Sequence, residues 1–335
     1  MGMKIGVIGA GSWGTALANL LAGNGHEVVL WAYEPELVEE MTRQRSNSLF
    51  LPGVSLHPDL ICTGELSRSV LERELVLLVA PTQVARGLLS TLAPCWPAEA
   101  VLVNASKGIE LTTLATVSDI VAQTLGAGML EHYVVLSGPT FAREVALGLP
   151  SLIVAASRNE QAARLAQSAF SNQTFRVYTS DDPVGVELGG AIKNVLAIAA
   201  GISDGLGFGH NTRAALITRG LVEMRRLGRA MGARDESFSG LAGMGDLVLT
   251  CTGDLSRNRT VGMKLGQGMT LAAILAEMRM VAEGVKTSES VYFLAQSKGV
   301  EMPICEKVFE ILHRDKPARE AVLELMTREL KAEYA

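Results

Sequence analysis

The chain has 335 residues, 48% of them hydrophobic, and a formal net charge of −5, enough length for two domains with well-filled cores. A net negative field attracts neither nucleic acid nor an acidic membrane surface, so a general role on either is excluded, and an anionic small molecule would need a local cation cluster. The four cysteines, Cys62, Cys95, Cys251 and Cys305, are far apart, with no C-x-x-C and no histidine at ligand spacing. That predicts reduced, structural thiols in a cytoplasmic protein and no metal site.

In chain order, Lys4 to Gly14 reads K-I-G-V-I-G-A-G-S-W-G. Ile5, Val7 and Ile8 predict a buried parallel strand, and T-A-L-A-N-L-L-A continues as a helix that stops at Asn24-Gly25. Gly9, Gly11 and Gly14 fall between them on the G-x-G-x-x-G spacing. The first glycine permits the tight turn, the second lets backbone approach a pyrophosphate, and the third lets helix and strand pack closely. Glu27 to Trp31 predicts the second strand. Glu34 then stands about 20 residues past the last glycine, where the fingerprint places a ribose-binding acid. The stretch is a dinucleotide-binding βαβ unit.

A secretory signal is the rival reading, with Lys4 as the basic end and Ala16-Leu17-Ala18 as the cleavage site. Gly and Ser interrupt the apolar run, and cleavage would discard the first strand, so secretion is rejected. Myristoylation fails because Gly6 occupies the position that needs Ser or Thr. No later segment is expected to offer the roughly 20 mostly apolar residues of a membrane span.

Leu37 to Gln44 predicts a helix and Asn47 to Val54 a loop. Further strands are expected at Leu75–Thr82, Ala100–Gly108, Tyr133–Thr140, Ser151–Ala156 and Phe175–Ser180, with a helix over Val84–Leu92. Strands apolar throughout, alternating with helical patterns, imply an α/β doubly wound, mostly parallel sheet covered on both faces. Pro81-Thr82, Ser106-Lys107-Gly108 and Ser137-Gly138-Pro139-Thr140 end three strands, and ligands in such sheets bind beyond the carboxyl ends. Past Asp181-Asp182-Pro183 the periodicity turns helical: Glu187–Ile202, Ala214–Met231, Thr270–Met280, Ser288–Lys298, Glu306–Leu312 and Ala318–Ala332. The boundary is placed at residue 183, with residues 1–183 as the nucleotide domain and 184–335 as an all-helical domain.

Lys193 interrupts a largely apolar helix. Burial would lower its pKa toward the range useful for proton transfer, whereas the bland alternative is a head that snorkels to solvent. Asp246, in L-A-G-M-G-D-L-V-L-T-C-T, fits a catalytic role or a helix N-cap equally. Ser256, Arg257, Asn258 and Arg259 form a short polar loop suited to an anion, or a solvated turn. Glu283 lies between apolar residues in M-V-A-E-G-V, which suggests a hydrogen-bonding duty.

Together, K-I-G-V-I-G-A-G-S-W-G-T-A-L-A, S-K-G-I, L-S-G-P-T-F-A, G-A-I-K-N-V-L-A-I-A-A-G, L-A-G-M-G-D-L-V-L-T-C-T, S-R-N and V-A-E-G resemble the bacterial NAD(P)-dependent glycerol-3-phosphate dehydrogenase family. The resemblance covers essentially the whole chain in the family's order. It implies a Rossmann-type domain joined to an all-α domain, with NAD or NADP as cofactor and no metal; the oligomeric state is left open, a homodimer being one option. The implied reaction interconverts sn-glycerol 3-phosphate and dihydroxyacetone phosphate, supplying glycerophosphate for membrane lipids. By similarity Lys193 is the proton donor and acceptor, and Lys107, Gly138, Thr140, Lys193, Asp246, Ser256, Arg257 and Asn258 contact substrate. Ser12, Trp13, Lys107, Ala142, Arg257, Val281 and Glu283 would line the cofactor, beside Gly9, Gly11, Gly14, Tyr33 and Glu34.

The chain departs from the family at Arg143 before Glu144, and at Tyr33-Glu34, where His or Arg often stands. Glu34 favours NADH, because no Arg, Lys or His lies between Trp31 and Val38, although Arg43 or Arg45 could reach a 2′-phosphate. Two other classes compete: a dehydrogenase of β-hydroxy acids, with a carboxylate site in place of a phosphate site, and a nucleotide sensor that binds without turnover.

Overall fold

A computed structural model describes residues 2–278, 282–330 and 332–333. Ten strands and fifteen α-helices are assigned among them. The strands are β1 (Lys4–Ile8), β2 (Glu27–Trp31), β3 (Ser46–Asn47), β4 (Leu51–Ser55), β5 (Ile61–Thr63), β6 (Leu75–Leu78), β7 (Val101–Asn104), β8 (Tyr133–Ser137), β9 (Ser151–Ala156) and β10 (Phe175–Ser180). The helices of the first half are α1 (Ser12–Gly23), α2 (Pro35–Arg43), α3 (Thr82–Leu92), α4 (Val117–Thr124), α5 (Ala142–Ala146) and α6 (Glu160–Phe170). Those of the second half are α7 (Pro183–Gly205), α8 (His210–Ala230), α9 (Asp235–Ser239), α10 (Asp246–Thr252), α11 (Arg257–Gly266), α12 (Leu271–Glu277), α13 (Glu283–Lys298), α14 (Pro303–His313) and α15 (Ala318–Met326).

Eight strands form one sheet in the order β10-β9-β8-β7-β6-β1-β2-β5. Its strands are apolar throughout because both faces are covered. Ile5, Val7, Leu30, Leu75, Leu77 and Val103 pack into one core with Leu17, Leu21 and Phe170. Their neighbours Ile8, Trp31, Val76, Leu78 and Leu102 point the other way, onto Leu89 and Ile120. All pairings are parallel except β8 with β9, so the sheet is mostly parallel, as expected. The β8–β9 link carries only the five-residue α5, which packs on α1, and an antiparallel return needs no crossover helix.

Two readings of this half need correction. The loop expected at 47–54 belongs to a two-stranded ribbon of β3 and β4. Its buried Asn47 donates to the Ala10 carbonyl (2.9 Å) and to Thr15 Oγ1 (2.8 Å), tying the ribbon to the glycine loop. The short edge strand β5 was not anticipated, since three residues carry too little pattern.

The second half is built on α7. Asp182 caps it, accepting from the Gly185 N–H at 3.0 Å, and Pro183 opens its first turn. The helix is therefore longer at both ends than apolar periodicity suggested. Every residue from Gly185 to Ser203 is buried. Leu188, Ile192, Val195, Leu196, Ile198 and Ile202 are fully enclosed, each contributing about 1.5–3 kcal/mol by leaving water. This corrects the expectation that no segment is apolar enough for a membrane span: α7 is, by length and composition, but its apolar window is entirely buried inside the protein. Other helices start earlier or end sooner than expected, α13 at Glu283 and α15 at Met326; Met280, expected to close α12, lies outside the described residues.

The tightest helix contact is α7 against α11. A Cβ on Gly201 would stand 2.1 Å from the Arg259 carbonyl oxygen, and one on Gly262 2.1 Å from that of Ile198. Both obstacles are backbone and cannot swing aside. Gly201→Val is expected to cost about 3 kcal/mol or more of stability, as forced overpacking does. A urea unfolding midpoint equal to that of the native protein would refute the account of this contact.

Candidate active site

The strand order sets β8, β7, β6, β1 and β2 side by side. Their carboxyl ends therefore present, in a row, Gly138, Lys107, Thr82, the glycine loop and Tyr33-Glu34. Gly9 has φ +116°, a conformation costly for other residues. A Cβ on Gly14 would fall 1.9 Å from the Gly9 carbonyl oxygen, so helix and strand meet there in closest contact. Nothing lies within 4 Å of where a Gly11 Cβ would stand, and no side chain caps α1. Open backbone at an uncapped helix N-terminus suits a pyrophosphate. The residues present fit a dinucleotide.

Around this loop, the Ser12 hydroxyl donates to the Phe50 carbonyl at 2.5 Å, and Trp13 is half-buried. Ala142 opens α5 and packs with Ala16, Leu51 and Val54 beside α1. Tyr33 is 81% exposed, edge-on to Trp31, and Glu34 takes the N-cap position of α2. Val281 lies outside the described residues.

The helical half brings its polar residues to the same row. Lys193 is 6% exposed and does not snorkel. Its Nζ lies 2.5 Å from Asp246 Oδ1 and donates to Thr250 Oγ1 at 3.1 Å. Lys107 Nζ reaches Asp246 Oδ2 at 2.7 Å and the Gly138 carbonyl at 3.3 Å. Thr140 Oγ1 donates to that same carbonyl. Asp246, 1% exposed, is the first residue of α10 and follows a π-helical turn (Leu241–Gly245). It clamps two lysines, and its carboxylate makes no cap. The cluster holds two ammoniums and one carboxylate, a surplus of positive charge suited to an anion. Burial lowers the Lys193 pKa to about 8; Asp246 partly offsets this and Lys107 adds to it.

The S-R-N-R segment is not a loop. Ser256 caps α11, its hydroxyl accepting from the Arg259 N–H at 3.3 Å, and the rest forms the first helical turn. Arg259 turns to Asp204 and Asp254, and Arg257 stands at the exposed first position. Asn258 points inward. Its Oδ1 accepts from the Gly284 N–H (3.0 Å), and its Nδ2 donates to Asn194 Oδ1 (2.9 Å). Glu283 Oε1 accepts from the Thr82 N–H at 3.1 Å, fastening α13 to the strand end before α3. Burial raises its pKa, and the Arg257 charge opposes that rise.

Sequence reasoning missed Thr250 and Asn194. Thr250 lies four residues after Asp246 on one helix face, a spacing that could have revealed it. Asn194 follows Lys193 directly and donates to the Lys107 carbonyl at 3.0 Å. Glu187 was also missed: buried, it accepts from Tyr133 Oη and both Ser118 donors, and behind it Asn104 holds the Ser106 N–H at the turn bearing Lys107. Among the described residues no group of His, Cys, Asp and Glu is arranged to hold a metal.

A glycine-loop sheet whose strand ends meet a buried lysine bridged to a carboxylate has the layout of a nucleotide-dependent oxidoreductase. The family model of the NAD-dependent glycerol-3-phosphate dehydrogenase N-terminus matches residues 4–163, and that of its C-terminus residues 182–323. A glycerol-3-phosphate dehydrogenase [NAD(P)+] of Trichlorobacter lovleyi is 72% identical over 99% of this chain and 100% of its own length. Its counterpart in Geobacter sulfurreducens is 65% identical over 99% of each. The crystal structure of glycerol-3-phosphate dehydrogenase from Coxiella burnetii superposes with TM-score 0.93 at 40% identity, over 98% of this chain and 99% of that one. This chain belongs to the NAD-dependent glycerol-3-phosphate dehydrogenase family.

Proposed function

We propose that the chain interconverts sn-glycerol 3-phosphate and dihydroxyacetone phosphate with NAD(H) or NADP(H). The observation that carries this is the buried Lys107–Asp246–Lys193 bridge at the strand ends, in a chain of this family. Gly9, Gly11, Gly14 and the first turn of α1 would hold the dinucleotide pyrophosphate, with Ser12, Trp13, Ala142 and Glu283 around it. When bound, the nicotinamide supplies or accepts the hydride at the substrate C2 carbon.

In reduction, negative charge grows on the C2 oxygen, and the Lys193 ammonium stabilises it and then donates a proton. In oxidation the neutral amine takes the hydroxyl proton back. Asp246 orients Lys193 from the other side, and Thr250 fixes its direction. Lys107, Gly138 and Thr140 border the carbon skeleton. Arg257, Ser256 and Asn258 at the start of α11 receive the phosphate, whose binding energy positions the small reacting part. The same reading assigns residues 1–183 to the nucleotide and 184–335 to the substrate and catalysis. It makes the protein a cytoplasmic source of glycerophosphate for phospholipid synthesis, which its four free thiols suit.

The test is nicotinamide absorbance with dihydroxyacetone phosphate, a β-hydroxy acid and no substrate. Turnover only with the phosphate is expected; turnover with the hydroxy acid, or binding without turnover, would overturn the reading. Arg257→Ala removes a charge-assisted contact and is expected to raise KM for dihydroxyacetone phosphate about ten- to a hundredfold. Equal use of unphosphorylated dihydroxyacetone by the native enzyme would show that the start of α11 serves another purpose.

A further inference from the structure

We infer that this chain selects NADH over NADPH, because Glu34 closes β2 beside an acidic helix and Arg45, the best-placed counter-ion in the loop that follows, is committed elsewhere; this rests on the dinucleotide reading above. At the end of β2, Glu34 is half-buried in extended backbone at the N-cap position, and its carboxylate makes no capping bond. An acid there accepts hydrogen bonds from the adenosine ribose hydroxyls and repels a phosphate in their place.

Sequence alone offers two counter-ions, Arg43 and Arg45. Arg43 lies 2.6 Å from Glu39, one turn back on α2. Arg45 is held more firmly. Its Nη1 donates to the Leu60 carbonyl at 2.9 Å, and its Nη2 to the carbonyls of His57 and Pro58. Its own carbonyl accepts from the Leu56 N–H at 2.8 Å, and its backbone sits at φ +52°, a region non-glycine residues rarely adopt. Arg45 is thus a pin that closes the loop before β5. Reaching a phosphate would break three hydrogen bonds.

The other charges nearby do not substitute. Glu36, Glu39 and Glu40 make α2 acidic, and Glu40 accepts from Ser46 and Ser48. Arg68 is exposed on the turn Leu66–Ser69 that follows β5. The Ser69 carbonyl lies against Gly6 in the middle of β1, and Arg73 reaches Glu27 at the opening of β2. The end of β2 therefore meets a 2′-phosphate with a carboxylate, on an acidic helix, and with Arg45 held by three backbone carbonyls.

The experiment is calorimetric titration of NADH and NADPH into the native protein without substrate, repeated with Glu34→Gln, Arg45→Ala and Arg68→Ala. NADH is expected to bind at least about tenfold tighter than NADPH, the size of one unfavourable charge contact. Glu34→Gln should tighten NADPH about fivefold or more and change NADH by less than about threefold. Arg45→Ala should lower the melting temperature and leave the ratio of the two affinities within about twofold, because it fastens a loop and meets no phosphate. Arg68→Ala should leave the ratio unchanged as well. The native ratio alone can fail, so a poorly folding variant protects nothing. NADPH binding as tightly as NADH, or losing affinity selectively in Arg45→Ala or Arg68→Ala, would overturn the inference. If that happened while dihydroxyacetone phosphate was still reduced, the reaction would stand and only the selectivity would fall. If neither dinucleotide bound, the reaction would fall with it.

Discussion

Replacing Lys193 with alanine is expected to lower kcat for dihydroxyacetone phosphate reduction by about a hundred- to ten-thousandfold, the range of a positioned general acid. The sheet domain holds its own core and glycine loop, so dinucleotide binding should survive. The pH profile separates proton transfer from mere packing. Burial sets the Lys193 pKa at about 8, below its ordinary value. Reduction needs the ammonium, so kcat/KM should hold below pH 8 and fall as pH rises through it. Glycerol 3-phosphate oxidation needs the free amine and should rise through the same interval. Both limbs should vanish in Lys193→Ala. Near-native kcat in the variant, or a reduction limb that survives it, would remove Lys193 from the proton path.

Asp246→Asn should show the second largest effect. The amide keeps the shape of the carboxylate but removes its charge from between two ammoniums that it contacts at 2.5 and 2.7 Å. Asp246 raises the Lys193 pKa and Lys107 lowers it. Removing the first and keeping the second must move that pKa below 8, so the reduction limb should shift to more acidic pH. At neutral pH kcat/KM should fall, by about tenfold for each unit that the pKa drops below 7. Stability should fall by about 3–5 kcal/mol, as it does when one partner of a buried ion pair is removed. Denaturant unfolding and pH-rate profiles check the two effects separately. A reduction limb that stays in place would mean that Asp246 orients Lys193 without tuning it.

These effects depend on contacts between distant parts of the chain. Asp246 meets Lys193 across 53 positions and Lys107 across 139. Nothing local to L-A-G-M-G-D could choose between a cap and a clamp, since both need an aspartate at the start of a helix. Lys193 was similarly undecided. An apolar neighbourhood shows that a lysine lies on a buried helix, but only its neighbours in space show whether the head escapes. Arg45 misled in the opposite direction: a cation near the ribose position in sequence is spent on three backbone carbonyls in the fold.

The sequence by itself determined what local steric and periodic rules control. It set the glycine loop between strand and helix, the doubly apolar strands of a mostly parallel sheet, the helical second half, and the row of strand-end turns where a ligand must lie. Each follows from the conformations and burial pattern of a few consecutive residues. The tertiary structure alone decided the reversal of β9 and β10, the burial of α7 along nearly its whole length, and the partners of the charged groups. It joined Lys107, Lys193 and Asp246 and tied Glu283 to Thr82. The physical reason is that a charge removed from water must find a counter-charge or a hydrogen-bond partner, and packing, not sequence neighbourhood, determines which one is within reach.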